Sequence, residues 1–195
     1  MTAPQDVLSF WVDEVGADGW YNSSDELDQK IRDQYGDLWQ EASEGALGYW
    51  LTAPRGTLSY IILTDQFPRN MFRGHADAFA MDRSALAAAK MAVDRDWDLR
   101  IDGPVRQFFY LPMMHSENLC DQDRCIRLLA SRMEGGKSNL LHAQVHREII
   151  RMFGRFPYRN DALGRTTTAA EQDWMDAGGY RITLQQIQSE TAETA

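Results

Sequence analysis

An all-α fold of stacked antiparallel helical hairpins is predicted by three features of this 195-residue chain. Apolar residues recur at three- and four-residue spacing, capping signals stand ahead of them, and no segment alternates convincingly with period two. Roughly eight helices joined by short turns are expected, in one compact domain or two tightly fused halves over residues 1–183. The polar residues 184–195 are expected to form a frayed tail.

The elements follow in order. Thr2, Pro4 and Gln5 precede a stripe of Val7, Trp11 and Val15, with Gly16 as the stop. Ser23 and Glu26 form a second capping box, ahead of a face of Leu27, Ile31, Leu38 and Ala42 that ends at Gly45. Thr52 and Pro54 open a third helix, carrying Leu58, Ile61, Ile62 and Asp65. The alanine-rich stretch from Phe79 to Val93 has high helix propensity, and its small side chains let a neighbour approach closely. Pro104 suits the first turn of a run through Phe108 and Phe109, which Pro112 interrupts. Met113 to Met133 is expected as one helix, and Glu134 to Ser138 as a loop. Leu141, Val145, Ile149 and Phe153 mark a long helix ending at Gly154. Thr168 and Glu171 form a last capping box, opening a short helix that Gly178 and Gly179 close.

The whole-chain chemistry narrows the function classes. Formal net charge is −9, so unselective attraction to nucleic acid or to an anionic membrane is not expected. Two cysteines, Cys120 and Cys125, make neither a zinc cluster nor a disulfide framework, which suits reduced thiols in a cytoplasm. No secretion-like start and no membrane-length apolar run occurs. No glycine-rich phosphate loop, nucleotide fingerprint or haem attachment motif is found, and no cofactor is expected.

Two segments about ninety residues apart share a wording. Asp65-Gln66-Phe67-Pro68-Arg69-Asn70 and Arg155-Phe156-Pro157-Tyr158-Arg159-Asn160 each follow a helical run, and each reads as a helix stopped before proline. Arg73 lies beyond the first corner and Arg165 beyond the second. Five arginines fall between Arg147 and Arg165, against Glu148 and Asp161. Guanidinium forks bind carboxylate or phosphate in bidentate fashion, so Asp65, Gln66, Arg69, Asn70, Arg73, Arg155, Arg159, Asn160 and Arg165 are the candidate ligand-binding set. The competing reading is structural: the same arginines bond the last carbonyls of helices, or pair with buried carboxylates to clasp the corners.

Imidazoles add the possibility of proton transfer. His115 and Glu117 follow the Pro112 break, and His115, Glu117 and His146 are the candidate catalytic residues. In a regular helix residues two apart do not face each other, so His115 and Glu117 cooperate only through a distorted turn, or else serve different neighbours. His142 and His146 have a metal-compatible spacing, but no third ligand and no zinc-protease pattern accompany them, and no metal is expected. Ser116 lacks the strand-turn-helix elbow of a nucleophile. The aromatics, Phe10, Trp11, Trp20, Tyr21, Phe67, Phe79, Phe108, Phe109, Tyr110, Phe153 and Phe156, are expected mostly in the core.

Read together, Val7-Leu8-Ser9-Phe10-Trp11, Trp20-Tyr21, Leu63 to Asn70, Phe109-Tyr110-Leu111-Pro112, His115-Ser116-Glu117, Phe153 to Asn160 and Leu163-Gly164-Arg165 resemble bacterial domain-of-unknown-function family 924. The match runs in order from about Val7 to Trp174. The resemblance implies an all-helical, tetratricopeptide-repeat-like fold and carries no settled activity. Where the family pattern usually has histidine, this chain has Tyr158, which weakens any mechanism needing an imidazole there. His115 and His146 stand where the pattern expects them.

Two functions stay open at this level. The first is a pocket formed where both corners face one interior point, binding an anionic small molecule and exchanging a proton with it through His115 or His146. The second is a helical module whose groove binds a peptide or protein terminus through its carboxylate. Fold alone does not separate them. Dimers through an apolar helix face are a further open expectation.

Overall fold

A computed structural model describes residues 3–22 and 24–193. Helix is the only regular structure among them, as the periodicity predicts. The chain divides into two compact units, one up to Pro112 and one from Met113.

In the first unit, α1 (Pro4–Leu8) widens into a π-helical stretch, Ser9–Val15, and closes with the short α2 (Gly16–Gly19). Thr2 lies outside the described residues; what satisfies the start of α1 is Asp6, whose carboxylate accepts from the Ala3 N–H at 2.7 Å. Ser23 also lies outside them. The cap of α3 (Asp25–Ser43) is Ser24, whose Oγ accepts from the Leu27 N–H at 3.1 Å. Then follow α4 (Pro54–Ile61), α5 (Phe67–Met71) and α6 (Asp82–Asp94). Ala85, Ala88, Ala89 and Ala92 are all buried on α6, which packs against α4 as small side chains permit. Two 3-10 turns, Asp98–Arg100 and Gly103–Phe109, complete the unit, the second with Pro104 in its first turn.

Phe67 is the centre of this core. Its ring lies 4.8 to 5.9 Å from those of Tyr35, Trp11 and Phe10, and such aromatic pairs add about 0.5–1.5 kcal/mol each beyond burial. Of the aromatics expected inside, Tyr21 is an exception, 63% exposed.

The first corner corrects the sequence reading. The helix does not stop before Pro68: it runs on from Pro54 to Met71, because residues Ile62–Gln66 are π-helical. Proline in an ordinary helix clashes with the carbonyl four residues earlier and leaves it without a donor. A wide turn, in which the Phe67 N–H reaches back to the Ile62 carbonyl, relieves that conflict. The real end comes at Phe72, ahead of Gly74 with φ +78°.

After α7 (Leu111–Met114), the second unit holds α8 (Leu119–Arg132), α9 (Lys137–Phe153), α10 (Ala169–Asp176) and α11 (Tyr180–Glu193). The single helix expected from Met113 to Met133 is broken at His115–Asn118, where Asn118 caps α8 by accepting from the Cys120 N–H at 2.9 Å. A four-residue connection makes α8 and α9 an antiparallel hairpin. The long helix ends as predicted at Gly154, whose φ of +67° lets its N–H return to the Ile150 carbonyl at 2.8 Å. Val145, Ile149, Ile150 and Phe156 form the core of the unit, covered by Phe153, Trp174, Tyr180, Leu184 and Ile187. Residues 184–193 are thus part of α11, with Leu184 and Ile187 packed, rather than a tail beginning at 184; residues 194 and 195 lie outside the described residues.

No described helix is long and apolar enough to cross a membrane.

Candidate functional site

The first corner sits in the first unit and is held by carboxylates. Asp65 is fully buried and accepts from Gln66 Nε2. Arg69 spans Asp65 and Asp82, with Nη1 at 3.3 Å from one and Nη2 at 2.9 Å from the other. Asn70 donates to Asp28 Oδ1 at 2.8 Å, and the Arg73 fork closes on the same carboxylate at 2.9 to 3.0 Å. Asp28 and Asp82 were not among the expected residues. Both lie on other helices, and nothing in the local wording marks them as partners.

The second corner is built differently. Phe156 is extended ahead of Pro157, and a single 3-10 turn, Pro157–Arg159, follows. Glu117, in the break before α8, accepts from the Phe156 N–H at 2.8 Å and from both Arg165 terminal nitrogens at 2.7 and 3.1 Å. Arg165 also donates to the Phe156 carbonyl and to Asn160 Oδ1. Burial raises the Glu117 carboxyl's proton affinity, but Arg165 and the Phe156 N–H outweigh it and hold the pKa below the ordinary value.

Arg155 forks onto Glu171, Nε to Oε1 at 2.5 Å and Nη2 to Oε2 at 2.8 Å. Glu171 also accepts from the Thr168 N–H at 2.7 Å, closing the predicted capping box of α10. With the Arg155 fork first and that N–H second, its pKa is held at about 2. The forks of Arg155 and Arg165 are therefore filled, and Asn160, which accepts from Arg165, donates to Thr167 Oγ1 and to Glu171 Oε2.

Aromatic rings line one side of this corner. Arg159 is buried, 6% exposed as a residue, and its guanidinium carbon lies 4.5 Å from the Phe156 ring centroid. The His146 ring meets the same phenyl edge-on at 5.4 Å and the Tyr180 ring at 5.3 Å, with His115 6.4 Å away. A carbonyl only accepts, so the 2.8 Å contact between His146 Nδ1 and the His142 carbonyl places the proton on Nδ1. In the neutral ring the free lone pair is then on Nε2. Burial first, then the charges of His115, Arg159 and His142, push the His146 pKa down to about 3. His142 bonds Tyr180 through Nδ1 at 2.6 Å, and burial lowers its pKa and raises that of Tyr180 to about 12.

The predicted residues are thus brought together in two groups. His115, Glu117, His146, Arg155, Arg159, Asn160 and Arg165 share the second unit; Asp65, Gln66, Arg69, Asn70 and Arg73 share the first. His115 and Glu117 serve different neighbours, the second of the two arrangements their spacing allowed. Sequence reasoning missed Tyr180, whose distance from α9 in the chain hides the contact. It found Glu171 only as a cap, since local spacing shows the cap and not the arginine. Among the described residues no group of three or more His, Cys, Asp or Glu is arranged to hold a metal.

Comparison with known proteins agrees with this architecture. A profile of the family described as bacterial protein of unknown function, DUF924, matches residues 7–179. The solved structure of a protein of unknown function from Agrobacterium tumefaciens is similar, with 35% sequence identity and a TM-score of 0.83, over 90% of this chain and 97% of that one. Among curated proteins none matches.

Proposed function

The chain belongs to the DUF924 family of bacterial proteins of unknown function, and from that premise we propose that its second unit binds a small anionic molecule at Phe156, with Arg159 as the charge partner and His146 as the proton acceptor. One observation carries this reading: a neutral imidazole with its Nε2 lone pair and a buried guanidinium meet on one phenyl ring. Arg155 and Arg165 act as struts that fix the corner, and Glu117 orients it from the α8 side. An anion beside Arg159 offsets the positive charge that disfavours protonation of His146, so binding and proton uptake reinforce each other. A ligand that can lose a proton would then deliver it to Nε2, which is acid–base chemistry of the histidine type.

Thermal shift at neutral pH with a panel of phosphates, dicarboxylates and keto acids tests the reading, because a ligand that binds only the native state raises the melting temperature. An anionic hit is expected whose shift disappears in Arg159→Ala while the helical spectrum stays intact. A shift unchanged by that substitution removes Arg159 from the site.

A second reading has its own observation. Tyr158 is 45% exposed and stacks on Phe156 at 5.4 Å, so a peptide ending in a carboxylate would find an aromatic platform beside Arg159. The α8–α9 hairpin supports a tetratricopeptide-like module of this kind. A peptide hit after a silent metabolite panel distinguishes it. Under both readings we place the protein in the cytoplasm, in keeping with its two free thiols.

A further inference from the structure

The first unit contains a groove of about 240 Å³ that holds none of the candidate catalytic or ligand-binding residues. Its floor is apolar and buried: Leu8 from α1, Leu58 from α4, and Ile101. Val12 and Val105 also line the groove. The rim is charged, with Arg55 and Arg100 offset by Asp13 and Asp102.

Two features make this more than a surface dent. Val12 and Asp13 reach it from the π-helical stretch Ser9–Val15, a geometry that is rare and recurs at functional sites. The lip formed by residues 101–105 is fixed, because Arg106 Nε donates to the Ile101 carbonyl at 2.9 Å and Gly103, at φ +59°, turns the chain between Asp102 and Val105. Arg55 donates to Gln5 at 3.1 Å, while Asp13, Arg100 and Asp102 have no side-chain hydrogen bond or ion pair among the described residues.

We propose that this groove binds a free aliphatic α-amino acid, its side chain on the Leu8–Leu58–Ile101 floor, its carboxylate toward Arg55 and Arg100, and its ammonium toward Asp13 and Asp102. The volume decides the size class. Drug-sized ligands take pockets of about 300–1,000 Å³, so the occupant is smaller. The charges decide the chemistry: a rim with two cations and two anions gives no net preference to a simple anion or cation, whereas a zwitterion satisfies both signs while its apolar part leaves water.

Isothermal titration of the full chain with leucine, isoleucine and methionine tests the assignment, with N-acetyl-leucine and leucinamide as blocked controls. Saturable binding of at least one free amino acid is expected, weakened about tenfold or more by either blocking group. Arg100→Gln and Asp102→Asn, both at exposed positions, should each weaken it to a similar degree without changing the helical spectrum. Arg159→Ala should leave it untouched, so the outcome is separable from that at the second corner. Absence of binding by all three amino acids at ~10 mM, or blocked leucine binding as well as free leucine, overturns the proposal.

Discussion

Glu117 grips Arg165 in a two-pronged ion pair, Oε2 to Nη1 at 2.7 Å and Oε1 to Nη2 at 3.1 Å, across 48 residues of chain. The same carboxylate takes the Phe156 N–H. The pair therefore ties the break before α8 to the corner after α9, and it positions the ring on which Arg159 and His146 meet.

Glu117→Gln keeps the shape and removes the charge. The hydrogen bonds to Arg165 and Phe156 lose their ionic partner, at a cost of about 1–3 kcal/mol in a half-buried setting, measured by urea unfolding. Arg165→Lys, which keeps the charge and loses the fork, should cost a comparable amount. Wild-type stability in both variants would show that the clasp does not hold the corner.

Acid should weaken the fold from a pH where carboxylates are still ionised. His146 has its pKa lowered from 6.5 to about 3, so below pH 6.5 the unfolded chain binds a proton that the folded one refuses. Stability contributed by the neutral ring is full above 6.5 and falls as pH drops toward 3, by on the order of 1 kcal/mol per unit. Glu171, held at about 2, adds its own loss only below about 4.5. Melting temperature against pH in wild type and His146→Gln reads this directly: the variant should lose the His146 share of the slope between pH 6 and 5 and keep the share of His142, whose pKa burial also lowers.

Gly56 is fixed by space. A Cβ there would stand 2.4 Å from the Trp50 carbonyl oxygen, which is backbone and cannot swing aside. Gly56→Ala should therefore destabilise the first unit by about 1–3 kcal/mol despite alanine's better helix propensity. A neutral or stabilising effect in chemical denaturation would contradict the close approach of α4 to the 3-10 turn Gly48–Thr52, which carries Trp50.

What the sequence made legible was local. The Thr168–Glu171 capping box, the Gly154 stop and the buried faces of α6 and α9 depend on residues three or four apart, and pattern shows them. The π turn at Ile62–Gln66 did not show, because a proline signals conflict with an ordinary helix and not which of two resolutions, stopping or widening, the fold adopts. Partner choice was hidden for a different reason. Asp28 meets Arg73, Asp82 meets Arg69 and Tyr180 meets His142 only through tertiary packing, so the arginines could be picked out as charged corners while the carboxylates that fill their forks could not.

The most direct test of the second-corner site is a ¹⁵N nuclear magnetic resonance titration of the His146 ring, alone and with an anion found by the thermal screen. The free protein should show the Nδ1–H tautomer at pH 6 and a midpoint far below 6.5; anion should raise that midpoint, and Arg159→Ala should abolish the rise. A midpoint near 6.5 that no anion moves would contradict the account.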